Sequence, residues 1–121
     1  MAEIKDKKYG KTLFYIDGNE IKDKKYGTTL YYIDSSEIKE KSKYGTVRFY
    51  VDGSEIKEKS KHGGIRYYFD GKEIRDKSKH GSVRYFVDNS EIKEKSKHGN
   101  VKYYIDGTLT RDQLSGLISI I

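Results

Sequence analysis

The chain has 121 residues, enough for one domain, with 34% hydrophobic and 36% charged residues and a mean hydropathy of −0.91. Lys and Arg outnumber Asp and Glu by 25 to 19, a formal charge of +6, and there is no Cys, Pro or Trp. These values argue for a thin structure with shallow apolar surfaces, and the absence of Cys excludes disulfides, zinc–thiolate centres and Cys nucleophiles. The charge excess is close to one per repeat and reads as spread evenly over a surface. Such a surface weakly favours anionic partners, beside the plainer role of keeping an extended sheet soluble.

The opening residues MAEIKDKKYG run straight into a repeat, with no apolar h-region of a signal peptide and no run of about 20 apolar residues. A cytoplasmic location is the default expectation, with virion and extracellular locations left open. Near copies of one unit begin at Glu3, Glu20, Glu37, Glu55, Glu73 and Glu91. Repetition at a short, fixed period decides the architecture before anything else.

The unit Glu55 to Lys72 reads EIKEKSKHGGIRYYFDGK. EIKEK is a short polar strand with one apolar residue, Ile56. SKHG carries turn chemistry, and GIRYYFD has the β-branched and aromatic content of a half-buried strand. Gly71-Lys72, like Gly18-Asn19, Ser35-Ser36, Gly53-Ser54 and Asn89-Ser90, reads as a two-residue hairpin loop. A two-residue loop there sets Phe69 opposite Ile74 and Tyr68 opposite Arg75. A four-residue SKHG loop sets Ile56 opposite Tyr67 and Lys57 opposite Arg66. This register gathers Ile56, Ile65, Tyr67, Phe69, Ile74, Val83, Tyr85 and Val87 on an apolar face. Lys57, Arg66, Tyr68, Arg75, Arg84, Phe86, Lys102 and Tyr104 then form a basic and aromatic face. Repeats one and two are a residue shorter. The missing residue reads as the turn Ser, leaving Lys8-Tyr9-Gly10 as a three-residue loop with a G1 bulge at Gly10.

After residue 108 the repeat gives way to a segment, 109–121, in which Thr110 and Gln113 fit a capping box. Leu114, Leu117, Ile118 and Ile121 follow helical spacing. The expected fold is all-β: an elongated antiparallel meander of six 17–18-residue hairpin repeats over 1–108, with a β-solenoid as the alternative. The short C-terminal helix is expected to cap the last hairpin.

The turn column Tyr9, Tyr26, Tyr44, His62, His80, His98 invites a metal reading. Equivalent positions two strands apart lie about 10 Å from each other, too far to share one ion. Asp17, Asp34, Asp52, Asp70, Asp88 and Asp106 open tight turns, and the Glu residues lie among Lys and Arg. A near-perfect repeat lacks the asymmetry of a catalytic site, so no enzyme, metal or cofactor is expected.

The stretch Lys97-His98-Gly99-Asn100-Val101-Lys102-Tyr103-Tyr104-Ile105-Asp106-Gly107 resembles the hairpin core of MORN-type repeats: H-G, then aromatics, then D-G. About ten residues of each unit share it, while EIKEK lacks the Gly-x-Trp or Gly-x-Tyr element of that family. The resemblance implies an elongated hairpin sheet for protein or lipid contact. A second likeness, to the G-x-x-Y-Y-F-D-x-G of bacterial cell-wall-binding repeats, implies sugar or choline recognition, although those use Trp cages. Three functions follow as expectations. The first is a non-catalytic scaffold for a protein partner or self-assembly, its apolar face shared in a homo-oligomer. The second is a binder of nucleic acid or an anionic surface through the basic and aromatic face. The third is a cell-wall or carbohydrate binder through the aromatic columns.

Overall fold

A computed structural model describes residues 1–121. Twelve strands follow one another: β1 Ala2–Lys5, β2 Thr12–Asp17, β3 Glu20–Lys22, β4 Thr29–Asp34, β5 Glu37–Glu40, β6 Val47–Asp52, β7 Glu55–Glu58, β8 Ile65–Phe69, β9 Glu73–Asp76, β10 Val83–Asp88, β11 Glu91–Glu94 and β12 Val101–Gly107. Each is antiparallel to the next, and β12 also pairs with β1. The sheet is therefore a closed barrel, and the open meander and the solenoid are both wrong. The reason lies at the seam. Glu3 pairs with Asp106 and Ile4 with Ile105. Within the chain, the equivalent residues Glu20 and Asp17, and Ile21 and Ile16, pair in the same way. The first strand lacks the partner that precedes it in every other repeat, and the last strand lacks the one that follows. Each supplies what the other needs, and closure removes both open edges. Because the seam repeats the internal register, the repeats are related by rotation about the barrel axis without an axial step.

The expected pairs Phe69 with Ile74, Tyr68 with Arg75 and Ile56 with Tyr67 are present. Lys57 is paired with Ile65, however, and Arg66 is the extra residue of a bulge between the two pairs. The bulge recurs in every repeat, at Leu13, Leu30, Arg48, Arg84 and Lys102. It reverses parity, so Ile65 and Val83 sit beside Lys57 and Arg75 on the outside and not on the apolar face. The G1 bulge expected at Gly10 is absent, since Gly10 has no positive φ. The residue missing from repeats one and two is not the Ser either. Gly10 N–H donates to Lys7 C=O as Gly63 N–H donates to Ser60 C=O, so Lys7 matches Ser60. What the longer repeats add is Lys41, Lys59, Lys77 or Lys95, each held at a φ of 65–69°.

Inside, each repeat contributes three residues. Ile56, Tyr67 and Phe69 are 1%, 3% and 3% exposed, and the matching Ile4, Ile21, Ile38, Ile74 and Ile92 are fully enclosed. The lumen is completed by α1, Arg111–Ile120, whose expected capping box is formed: Thr110 Oγ1 accepts from Gln113 N–H, and Gln113 Oε1 accepts from Thr110 N–H. Residues 115 to 119 are buried in succession, which covers every side of a helix turning 100° per residue. The helix thus fills the lumen and does not cap the last hairpin. Its small residues permit this: Gly116 lies against Ile21 and Ile33, and the buried Ser119 hydroxyl donates to Ser115 C=O at 2.8 Å. Gln113 Nε2 anchors the entry by donating to Gly18 C=O at 2.9 Å. Ten helical residues span about 15 Å, close to the ~17 Å of a five-residue strand. The helix therefore runs from the rim of tight turns toward the rim of long turns. No helix is long and apolar enough to cross a membrane.

Candidate functional site: the long-turn rim

Antiparallel hairpins of alternating length put all two-residue turns at one end and all long turns at the other. This sorts the charges. The six long turns, residues 6–11, 23–28, 40–46, 58–64, 76–82 and 94–100, hold 13 Lys and six carboxylates, one per turn. The bulge residues Arg48, Arg66, Arg84 and Lys102 add four cations beside them. At the opposite rim, 12 carboxylates recur as the Asp and Glu that flank each tight turn and seam. The even spread expected from composition is replaced by a sorting of charge between the two rims, which wall lysines bridge: Lys57 Nζ reaches both Asp52 and the Lys61 carbonyl.

Five of the six long-turn carboxylates are turned to internal use, the Glu58 side chain alone having no partner. Asp6 and Asp23 accept from the backbone of Lys11 and Thr28 across their own turns, each at 2.9 Å. Glu40, Asp76 and Glu94 pair with Arg48, Arg84 and Lys102 at 3.3, 3.3 and 4.0 Å. None of the 13 turn lysines has a carboxylate partner, and all are exposed. At the apex of the turns stand Tyr9, Tyr26 and Tyr44, 88%, 91% and 91% exposed, and on the other half of the ring His62, His80 and His98, also exposed. Lys8 and Lys25 reach over the rings of Tyr9 and Tyr26, with Nζ at 5.5 and 5.6 Å from the centroids. The apical Gly is obligatory: a Cβ on Gly63 would overlap the carbonyl of Glu58.

The basic and aromatic face expected on the sheet is present but differently occupied. Tyr68, Phe86 and Tyr104 lie outward between a Glu and a basic residue. Lys57 is not free: its Nζ meets Asp52 at 3.3 Å, Glu55 at 3.6 Å and Lys61 C=O at 3.0 Å. Lys39 and Lys93 are held the same way, and Lys5 meets Asp106 across the seam at 3.1 Å. A hydrogen bond to Asp106, Asp34 or Asp88 raises the pKa of Lys5, Lys39 or Lys93 above the ordinary lysine value. Arg75 instead takes Glu73 at 2.6 Å. Asp70 is occupied with the turn, accepting from the N–H groups of Lys72 and Glu73, the Glu73 bond being the larger cause of its lowered pKa.

Arg66 departs from its column. Where Arg48 and Arg84 pair with acids, its guanidinium lies 5.6 Å from the Phe49 ring and 5.0 Å from that of Tyr67. Its Nε is buried without a hydrogen-bond partner. Below it Tyr85 and Tyr103 meet edge to face at 6.5 Å, and burial raises both phenol pKa values. The apolar-face residues Ile74, Tyr85 and Val87 thus line a filled interior. No group of three or more His, Asp or Glu is placed to hold a metal ion.

Sequence reasoning placed the ligand cations on the sheet, Lys59, Lys77 and Lys95 among them, and missed that the long turns gather 13 lysines at one rim. A signal was there: K-S-K-H-G and K-K-Y-G hold no acid, whereas every wall Lys has Glu two residues before it. In comparisons with known proteins, no protein-family model, no curated protein and no solved structure matches the chain.

Proposed function

We propose that this protein is a non-catalytic binding module that docks on a polyanionic partner through its long-turn rim. The observation that carries this reading is the pairing pattern. Wall cations are consumed by neighbouring carboxylates, whereas the 13 turn lysines have none and share one end of the barrel. Unpaired cations gathered on one surface focus a positive potential that attracts and orients an anionic partner. The scaffold reading rested on an uncovered apolar face; six of those eight side chains line the lumen instead, and Ile65 and Val83 lie outside beside Lys57 and Arg75. The carbohydrate reading needs open aromatic platforms; the outward column on the wall lies between charged neighbours, and of the exposed apical rings Tyr9 and Tyr26 are overlain by Lys8 and Lys25.

The test is binding to heparin, polyphosphate and oligonucleotides as a function of salt. Wild type should bind at low ionic strength and release as salt rises. The combined variant Lys43→Gln, Lys61→Gln, Lys79→Gln, Lys97→Gln should bind far more weakly, and Lys72→Gln, at the other end, should bind like wild type. Equal loss in both variants would sink the reading.

A further inference from the structure

Resting on that reading, we infer that the polyanionic partner is the surface of an anionic lipid bilayer, on which the barrel stands end-on. Four observations converge. The first is level. The seam between β1 and β12 repeats the register between consecutive repeats, so the six hairpins are related by rotation alone and all their long turns leave the sheet at one level, those of repeats one and two a residue shorter than the other four. Twelve strands about 4.8 Å apart, tilted some 40°, give a ring of roughly 24 Å diameter. A level ring of contacts matches a planar target.

The second is chemistry. The apices combine exposed Tyr with free Lys, and contain no Leu, Ile or Phe. Tyr favours the headgroup level of a bilayer, and each basic residue near an anionic leaflet strengthens binding about fivefold. That set suits shallow, reversible contact. The third is spacing. Apices two strands apart sit about 10–12 Å from one another around a closed ring, whereas a single strand stacks its successive bases on aromatic platforms along one continuous groove. The ring therefore lacks the ladder that a single-stranded nucleic acid would use. The fourth is the wall. Its Lys, Glu and Asp clusters face outward along the whole circumference, and its strands are three to seven residues long. A strand that crosses a bilayer needs about 9–11 residues. The barrel stands on the membrane and is not inserted in it.

The test is co-sedimentation of the full chain with vesicles of phosphatidylcholine containing 30% phosphatidylserine, with pure phosphatidylcholine vesicles as control, alongside binding of a 20-residue oligothymidylate and of polyphosphate. The inference expects sedimentation with the anionic vesicles only, reversed by salt. The Tyr9→Ser, Tyr26→Ser, Tyr44→Ser variant should weaken vesicle binding about tenfold while hardly changing polyphosphate binding, and its circular dichroism should match wild type. Binding to oligothymidylate or polyphosphate without binding to anionic vesicles would overturn the bilayer and leave the polyanion reading standing. Binding to none of the probes would overturn both, and equal sedimentation with phosphatidylcholine alone would overturn the electrostatic basis of each.

Discussion

Leu117→Ala separates a lumen-filling helix from an external cap. Leu117 is fully enclosed, in a cluster with the isoleucines of the wall. The substitution removes about three methyl or methylene groups, worth about 0.8 kcal/mol each by transfer alone, or ~2.4 kcal/mol. A cavity term adds to this wherever the surroundings cannot collapse. Here each wall strand is hydrogen-bonded on both sides in a closed ring, so relaxation is restricted, and the expected total is about 3–4 kcal/mol. For a chain of this size that lowers the melting temperature by roughly 10–20 °C. Urea unfolding followed by near-ultraviolet tyrosine dichroism reads the change, with Arg111→Ala, exposed at the helix start, within about 0.5 kcal/mol of wild type. A loss below about 1 kcal/mol for Leu117→Ala would refute the enclosed helix.

Other predictions follow from single positions. Gly107 sits at the seam with φ 127°, and an added Cβ would meet Met1 C=O at 2.5 Å and Ala2 Cα at 2.9 Å. Gly107→Ala should cost about 1–3 kcal/mol in denaturation, whereas Gly64→Ala, with open space around it, should be neutral or slightly stabilising. Thr110→Ala removes a helix cap and should cost about 1 kcal/mol in the same assay. Burial raises the phenol pKa values of Tyr85 and Tyr103, so the folded state keeps protons that the unfolded chain releases. Stability should therefore be full below the ordinary tyrosine value and decline as pH rises through the raised ones. Ultraviolet titration should show the Tyr85→Phe, Tyr103→Phe variant lacking the latest-titrating phenols, and an unchanged titration curve would contradict the buried pair.

The local structure was legible in the sequence because each level of it is local. Two-residue Gly, Ser and Asn turns, alternating strands and the Thr110–Gln113 capping box each depend on residues close together. The face of Ile65 was not legible, because a bulge at Arg66 shifts parity while leaving the Ile56–Tyr67 pair intact. Closure was hidden for a different reason. Antiparallel pairing of neighbours reads the same in an open meander and in a ring, and only the contact between Ile4 and Ile105 distinguishes them. A trace of it existed, since Glu3-Ile4-Lys5 lacks a preceding Asp-Gly turn and Ile105-Asp106-Gly107 lacks a following Glu-Ile-Lys. Once closure is granted, the small residues Ser115, Gly116 and Ser119 make sense as those of a helix confined on all sides. The same closure brings the turn lysines, about one repeat apart in the chain, onto a single ring.

The chain has no Cys, so one introduced thiol carries one label. An environment-sensitive fluorophore on His80→Cys, at a long-turn apex, and on Lys72→Cys, at the opposite rim, reports which end meets a polyanion. On titration with polyphosphate or anionic vesicles, the account predicts a saturable change at position 80 that salt reverses, and little change at position 72. A response at position 72 with none at position 80 would contradict the claim that the long-turn rim is the binding surface.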